Sequence, residues 1–180
     1  MLARDQSILH YLNAFRVLSR DQIATLVCND VKNPAYIASR VCKRLGRDGH
    51  LTILAQEKGK QNLYMPKPPL IHPRSIRVNH FLAIADLYIK LDKPQVFDVE
   101  PAYFQHGYRP DVYAIIDGIP VCIEVQLSRI SKKKMQDKAN RFIQSYYHSE
   151  HKAKTLWIYS SIHYDVKLFG TFRIKNGLEW

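Results

Sequence analysis

Two acidic residues, Asp111 and Glu124, flank a stretch of chain that can fold them face to face. Between Tyr108 and Gln126 two runs rich in β-branched residues are separated by Asp117-Gly118. That dipeptide accepts the positive φ angles of a two-residue hairpin turn. Such a turn sets Ile116 against Ile119, and the register then carries Asp111 directly opposite Glu124, with Cβ atoms about 4.5–5.5 Å apart on one face. Opposed carboxylates repel, and burying them without a counter-ion raises a pKa or weakens the sheet. A divalent cation removes the conflict. Oxygen-only ligands suit Mg2+ or Mn2+, which keep several waters and can activate one toward a phosphodiester. Gln126, two residues past Glu124, points to the same face. The opposing reading leaves Asp111 at a strand end in water, with no ion needed.

The elements around this hairpin follow from periodicity. Phe81, Ile84, Tyr88 and Leu91 share a helix face, which predicts a helix over 77–91. Asp86 interrupts its apolar run and lies either on the outer face or toward a polar site. Gln95 to Glu100 reads as a strand. After the hairpin, Ser131 is an expected N-cap for a helix with Met135, Ala139, Phe142 and Tyr146 inward and Lys134, Lys138, Arg141 and Ser145 outward. The run Lys132-Lys133-Lys134 adds capacity for phosphate. Thr155 to Ser160 reads as a buried strand, which completes an α+β sandwich.

Upstream, Pro66, Pro68, Pro69 and Pro73 mark a linker, so the expected domains are 1–67 and 76–180. Ile8, Leu12, Phe15 and Leu18 recur at helical spacing. Ser19-Arg20-Asp21-Gln22 is a capping-box pattern that opens a second helix. Asn33-Pro34 opens a third, with Ile37, Ala38, Val41 and Leu45 as its inner face. Two strands around Glu57-Lys58-Gly59-Lys60 follow. Three helices and a basic-tipped hairpin form the order of a winged helix-turn-helix, whose third helix enters the major groove of double-stranded DNA. Tyr36, Arg40, Lys43, Arg44 and Arg47 on that helix, Lys58 and Lys60 on the wing, and Lys134 and Lys138 further on are the expected DNA contacts. A solvated polar face is the alternative for the same stripe.

Composition agrees with this picture. The 27 Lys and Arg against 16 Asp and Glu give a net charge of +11, which favours a polyanionic partner. The three cysteines, Cys28, Cys42 and Cys122, are too scattered for a disulfide framework or a zinc knuckle. The N-terminus lacks a signal-peptide core, and no run of about 18 apolar residues is present, so a cytoplasmic protein without membrane contact is expected. No glycine-rich phosphate loop suggests nucleotide hydrolysis. His148 and His151 are not one helical turn apart and fit a solvated helix end. Tyr146 and Tyr147 read as core or phosphate-contacting residues rather than covalent nucleophiles.

Pro110-Asp111 on one strand and Glu124-Val125-Gln126 on the next resemble the PD-(D/E)xK restriction-endonuclease-like superfamily. With the winged helix, His80 and Asp86 before them, and Lys138 and Tyr146 after, the chain from Ile8 to Tyr147 resembles the replication-relaxation family and is similar to MobC-type plasmid relaxases. The resemblance implies metal binding by Asp111 and Glu124, with Asp86 or Glu100 as a further ligand. It implies metal-dependent nicking or cleavage of plasmid, phage or mobile-element DNA during replication or mobilisation. A homodimer or replication and mobilisation proteins are the implied partners. Gln126 departs from the pattern, where lysine is usual. A glutamine orients water but brings no charge, so the catalytic set Asp111, Glu124, Gln126 either borrows Lys134 or Lys138 or belongs to a non-enzymatic regulator with a degenerate nuclease-like domain.

Overall fold

The computed structural model describes residues 1–57, 59–104, 107–148, 150, 152–168 and 170–177. These divide into two units, Met1–Lys90 and Leu91–Trp180.

The first unit opens with α1 (Ala3–Phe15), which buries Ile8, Leu12 and Phe15. Leu18 does not extend this helix. Arg16 takes a left-handed conformation at φ 67 and ends it, and Leu18–Ser19 becomes the short strand β1. Helix α2 (Arg20–Val27) carries the expected capping box: Gln22 N–H donates to Ser19 Oγ at 3.2 Å, and Ser19 N–H to Gln22 Oε1 at 2.9 Å. Pro34 is the first residue of α3 (Pro34–Arg47). Its buried stripe is Ala38, Cys42 and Leu45, whereas Ile37 and Val41, expected inside, are half-buried. Strands β2 (Leu51–Leu54) and β3 (Leu63–Pro66) pair antiparallel, and β1 adds to β3 to give the order β1-β3-β2.

Helix α4 (Arg77–Lys90) falls in this first unit, so the division comes after it rather than in the proline-rich segment. The reason is packing. Tyr88 meets Tyr11 and Phe15 of α1 at ring-centroid distances of 6.1 and 5.2 Å. Gln22 of α2 also ties to α4, as described below.

The second unit is a five-stranded sheet, ordered β4 (Phe97–Val99), β5 (Val112–Ile116), β6 (Ile119–Val125), β7 (Thr155–Tyr159), β8 (Arg173–Asn176). The first three strands are antiparallel neighbours, and β6, β7 and β8 run parallel. Asp117 (φ 51) and Gly118 (φ 77) make the tight turn, and the register runs from Ile116↔Ile119 back to Val112↔Ile123 as expected. A parallel neighbour needs a crossover, supplied between β6 and β7 by α5 (Lys132–His148). Ser131 caps it through its Oγ, which accepts from Lys134 N–H at 3.3 Å. Met135, Ala139 and Phe142 of α5 join Tyr113, Cys122, Leu156 and Ile158 in the core. Strand β8 was not foreseen. Its alternating Arg173-Ile174-Lys175-Asn176 half-buries Ile174 and exposes both cations, a weak pattern for an edge strand. Among the described residues no helix is long and apolar enough to cross a membrane.

Candidate functional site

Side chains alternate along a strand, so Glu124 shares a face with Cys122 and Tyr113, the face covered by α5. Continuing the register by one residue sets Asp111, just before β5, against Glu124. Its carboxylate is anchored there, since Oδ2 accepts from Val125 N–H at 2.8 Å.

Glu124 is only 2% exposed. Burial, and then the charge of Asp111, push its carboxyl up to about 7 despite an opposing ammonium. That ammonium is Lys138 of α5, whose Nζ lies 2.5 Å from Glu124 Oε2. Burial works against the Lys138 charge, but Glu124 and then Asp111 outweigh it and hold its pKa above the usual lysine range. Lys138 therefore points into the site and not outward as its position in the basic run suggested. Ser145, also expected outside, is buried. A signal was present: Lys138 stands three residues after Met135 and four before Phe142, on the same helical stripe.

Glu100 lies one residue beyond β4, and one of its carboxylate oxygens comes within 4.8 Å of one on Asp111. Its backbone is held at φ 44, outside the region most residues favour. Two groups fix it there: Glu100 N–H donates to the Asp111 carbonyl at 2.9 Å, and the Arg109 guanidinium donates to the Glu100 carbonyl. Tyr108 was missed by sequence reasoning. It is 4% exposed, and its hydroxyl has no hydrogen bond of good geometry among the described residues. Burial, and then Glu124, push its phenol far above the ordinary value.

Two residues of the expected set are occupied elsewhere. Gln126 turns its amide to the Ser128 carbonyl at 2.8 Å. Asp86 lies in the first unit, where its Oδ1 accepts from Gln22 Nε2 at 2.6 Å, and the same amide group donates to the Leu82 carbonyl at 2.8 Å. Gln22 thus caps α2 with its oxygen and holds α4 with its nitrogen.

On α3, Tyr36, Arg40, Lys43 and Arg47 are all exposed, at the spacing of one helix face. Arg44 is held differently, paired at 2.5 Å to the buried carboxylate of Asp5. Burial raises the Asp5 pKa, but the Arg44 hydrogen bond, the Leu2 N–H and the nearby positive charges together outweigh it, so its carboxyl sits below the usual value. Lys60 pairs with Glu57 at 2.9 Å, Lys134 is exposed, and Lys58 lies outside the described residues.

An acidic hairpin on a mixed sheet, backed by a helix that delivers a lysine onto one of the carboxylates, defines a nuclease-like α/β unit. Residues 79–178 match the family described as "Competence protein CoiA, nuclease-like domain". The match takes in more than half of the chain, and the chain belongs to this family. Comparison with curated proteins and with solved structures gives no match.

Proposed function

We propose that the second unit cleaves nucleic acid with a divalent metal held by Asp111, Glu124 and Glu100, and that the first unit is a winged helix-turn-helix that binds duplex DNA. The observation that carries the chemistry is the buried Glu124, which shares its face with Asp111 and has the Lys138 ammonium on it. The donor set fits Mg2+ or Mn2+: hard oxygen ligands from three carboxylates, two of them within 4.8 Å of each other. When bound, the ion would polarise the scissile phosphate and lower the pKa of a water.

The chain's own residues supply the rest. Val125 N–H fixes one oxygen of Asp111. Arg109 fixes the peptide of Glu100. The Lys138 ammonium brings the cation that Gln126 lacks, and in a dry setting it stabilises charge that develops on a phosphate oxygen. Support for the winged helix is the order of three helices, an antiparallel hairpin and a third strand, with an exposed basic face on α3. Together with the replication-relaxation resemblance, this reading makes plasmid, phage or mobile-element DNA the substrate.

A supercoiled plasmid incubated with Mn2+ tests the proposal. The wild type nicks or cuts it, Asp111→Ala reduces the rate about a hundredfold or more, and Lys138→Met does the same. DNA binding with no metal-dependent strand break would reject the enzyme in favour of a regulatory or accessory role.

A further inference from the structure

At the far end of α5, Tyr147 is 68% exposed. Its ring is supported from behind, edge-to-face on Tyr146 at 5.5 Å and 88°, and against Phe172 at 6.4 Å and 68°. Tyr146 is braced in turn by Phe172 at 5.2 Å. Two cations gather at the same place. Lys152 Nζ and Lys154 Nζ lie 5.0 and 5.7 Å from the Tyr146 ring centroid, and Lys152 also donates to the Tyr146 carbonyl. Both lysines are exposed, and neither has a carboxylate partner among the described residues. Two ammonium groups gathered around one ring favour an anion beside them.

We propose that Tyr147, with Lys152 and Lys154, is a platform on which one unpaired base of a nucleic-acid strand stacks while the lysines neutralise its phosphates. The inference rests on the nucleic-acid reading above and adds the strand state of the ligand. A ring held by edge contacts and open to water is what base stacking requires, and flanking cations supply the affinity for the backbone. In a duplex each base face is covered by its neighbours, so such a ring has a partner only at a strand end, a bulge or a single strand. Tyr147 stands nine residues after Lys138 on α5, an axial rise of about 13.5 Å and about half a turn round the helix from it. The platform is therefore a surface apart from the carboxylate site, on the outer face of α5.

Fluorescence anisotropy of the full chain with a labelled oligothymidine and with a blunt duplex, both in chelator, tests this. Tyr147→Ala weakens oligothymidine binding about tenfold, Tyr147→Phe changes it less than twofold, and neither changes duplex binding. Lys152→Ala with Lys154→Ala weakens oligothymidine binding and flattens its salt dependence. Equal loss of single strand and duplex in Tyr147→Ala, or no loss of either, overturns the proposal. So does displacement of the oligonucleotide from the wild type by polyglutamate at equal charge, which would make the patch a surface for acidic protein. Because chelator prevents cleavage, these outcomes are independent of whether the carboxylate site cuts.

Discussion

At the scale of single residues, Glu124 decides how the protein responds to pH. Its folded pKa of about 7 lies above the ordinary value of 4.5, so the folded state holds a proton that the unfolded chain releases. The stability this contributes is complete below about 4.5 and is lost as pH rises through about 7. Glu124→Gln has no such dependence. Urea melts should therefore show the variant gaining on the wild type between pH 5 and pH 8, by on the order of 3 kcal/mol. If the two stay parallel, Glu124 is not held protonated by its surroundings. Lys138→Met is expected to act in the opposite sense, costing about 3 kcal/mol at pH 8 and less at pH 5, where the carboxyl takes a proton instead of a partner. Asp111 and Glu124 were legible because a hairpin register is arithmetic once the turn is known. Lys138 was not, because its neighbours in the basic run favour water and only its place on the Met135–Phe142 stripe points inward. Tyr108 carries no signal of its own, and its depth follows from tertiary packing.

The elements show the same division between local chemistry and packing. The α2 capping box and the Asp117-Gly118 turn appear where the sequence sets them, since both depend on residues within a few positions. Gly118 has nothing within 4 Å of an added Cβ, so Gly118→Ala meets only backbone strain at φ 77. It should lower stability by about 1 kcal/mol in a denaturant melt. A neutral result would mean that the turn relaxes to another type. The end of α1 and the unit boundary were less accessible. Leu18 keeps the helical period but pairs with Tyr64, far along the chain, and the prolines expected to separate two domains lie inside one unit. The Gln22–Asp86 bond belongs to this class too, since nothing near either residue announces it. It allows the acidic residues to be sorted. Asp86→Asn keeps an oxygen to accept from Gln22, so stability and cleavage should both stay within twofold of wild type. Loss of cleavage at unchanged stability would instead put Asp86 among the metal ligands.

For the molecule as a whole, the net charge of +11 makes attraction to nucleic acid general, and the arrangement of cations decides what part of it is directed. The basic residues of α3 are not equivalent. Arg44 holds a buried carboxylate and is committed to the fold, and Arg47 lies 3.4 Å from Asp48. Arg40 and Lys43 are exposed, with no side-chain partner among the described residues. If α3 lies in a groove of the duplex, these two residues carry its contacts. Arg40→Ala with Lys43→Ala should weaken duplex binding and reduce the slope of log affinity against log salt by about 0.9 for each phosphate contact removed. A selection of binding sites with Arg40→Ala alone should change base preference, because a guanidinium can read a guanine edge where an ammonium on a backbone phosphate cannot. If, as proposed, the carboxylate hairpin cleaves, cleavage of a short oligonucleotide in Mn2+ should stay near wild type in the double variant. Unchanged duplex affinity and salt slope would remove α3 from the groove, and a parallel fall in oligonucleotide cleavage would mean that the two units do not divide binding and chemistry between them.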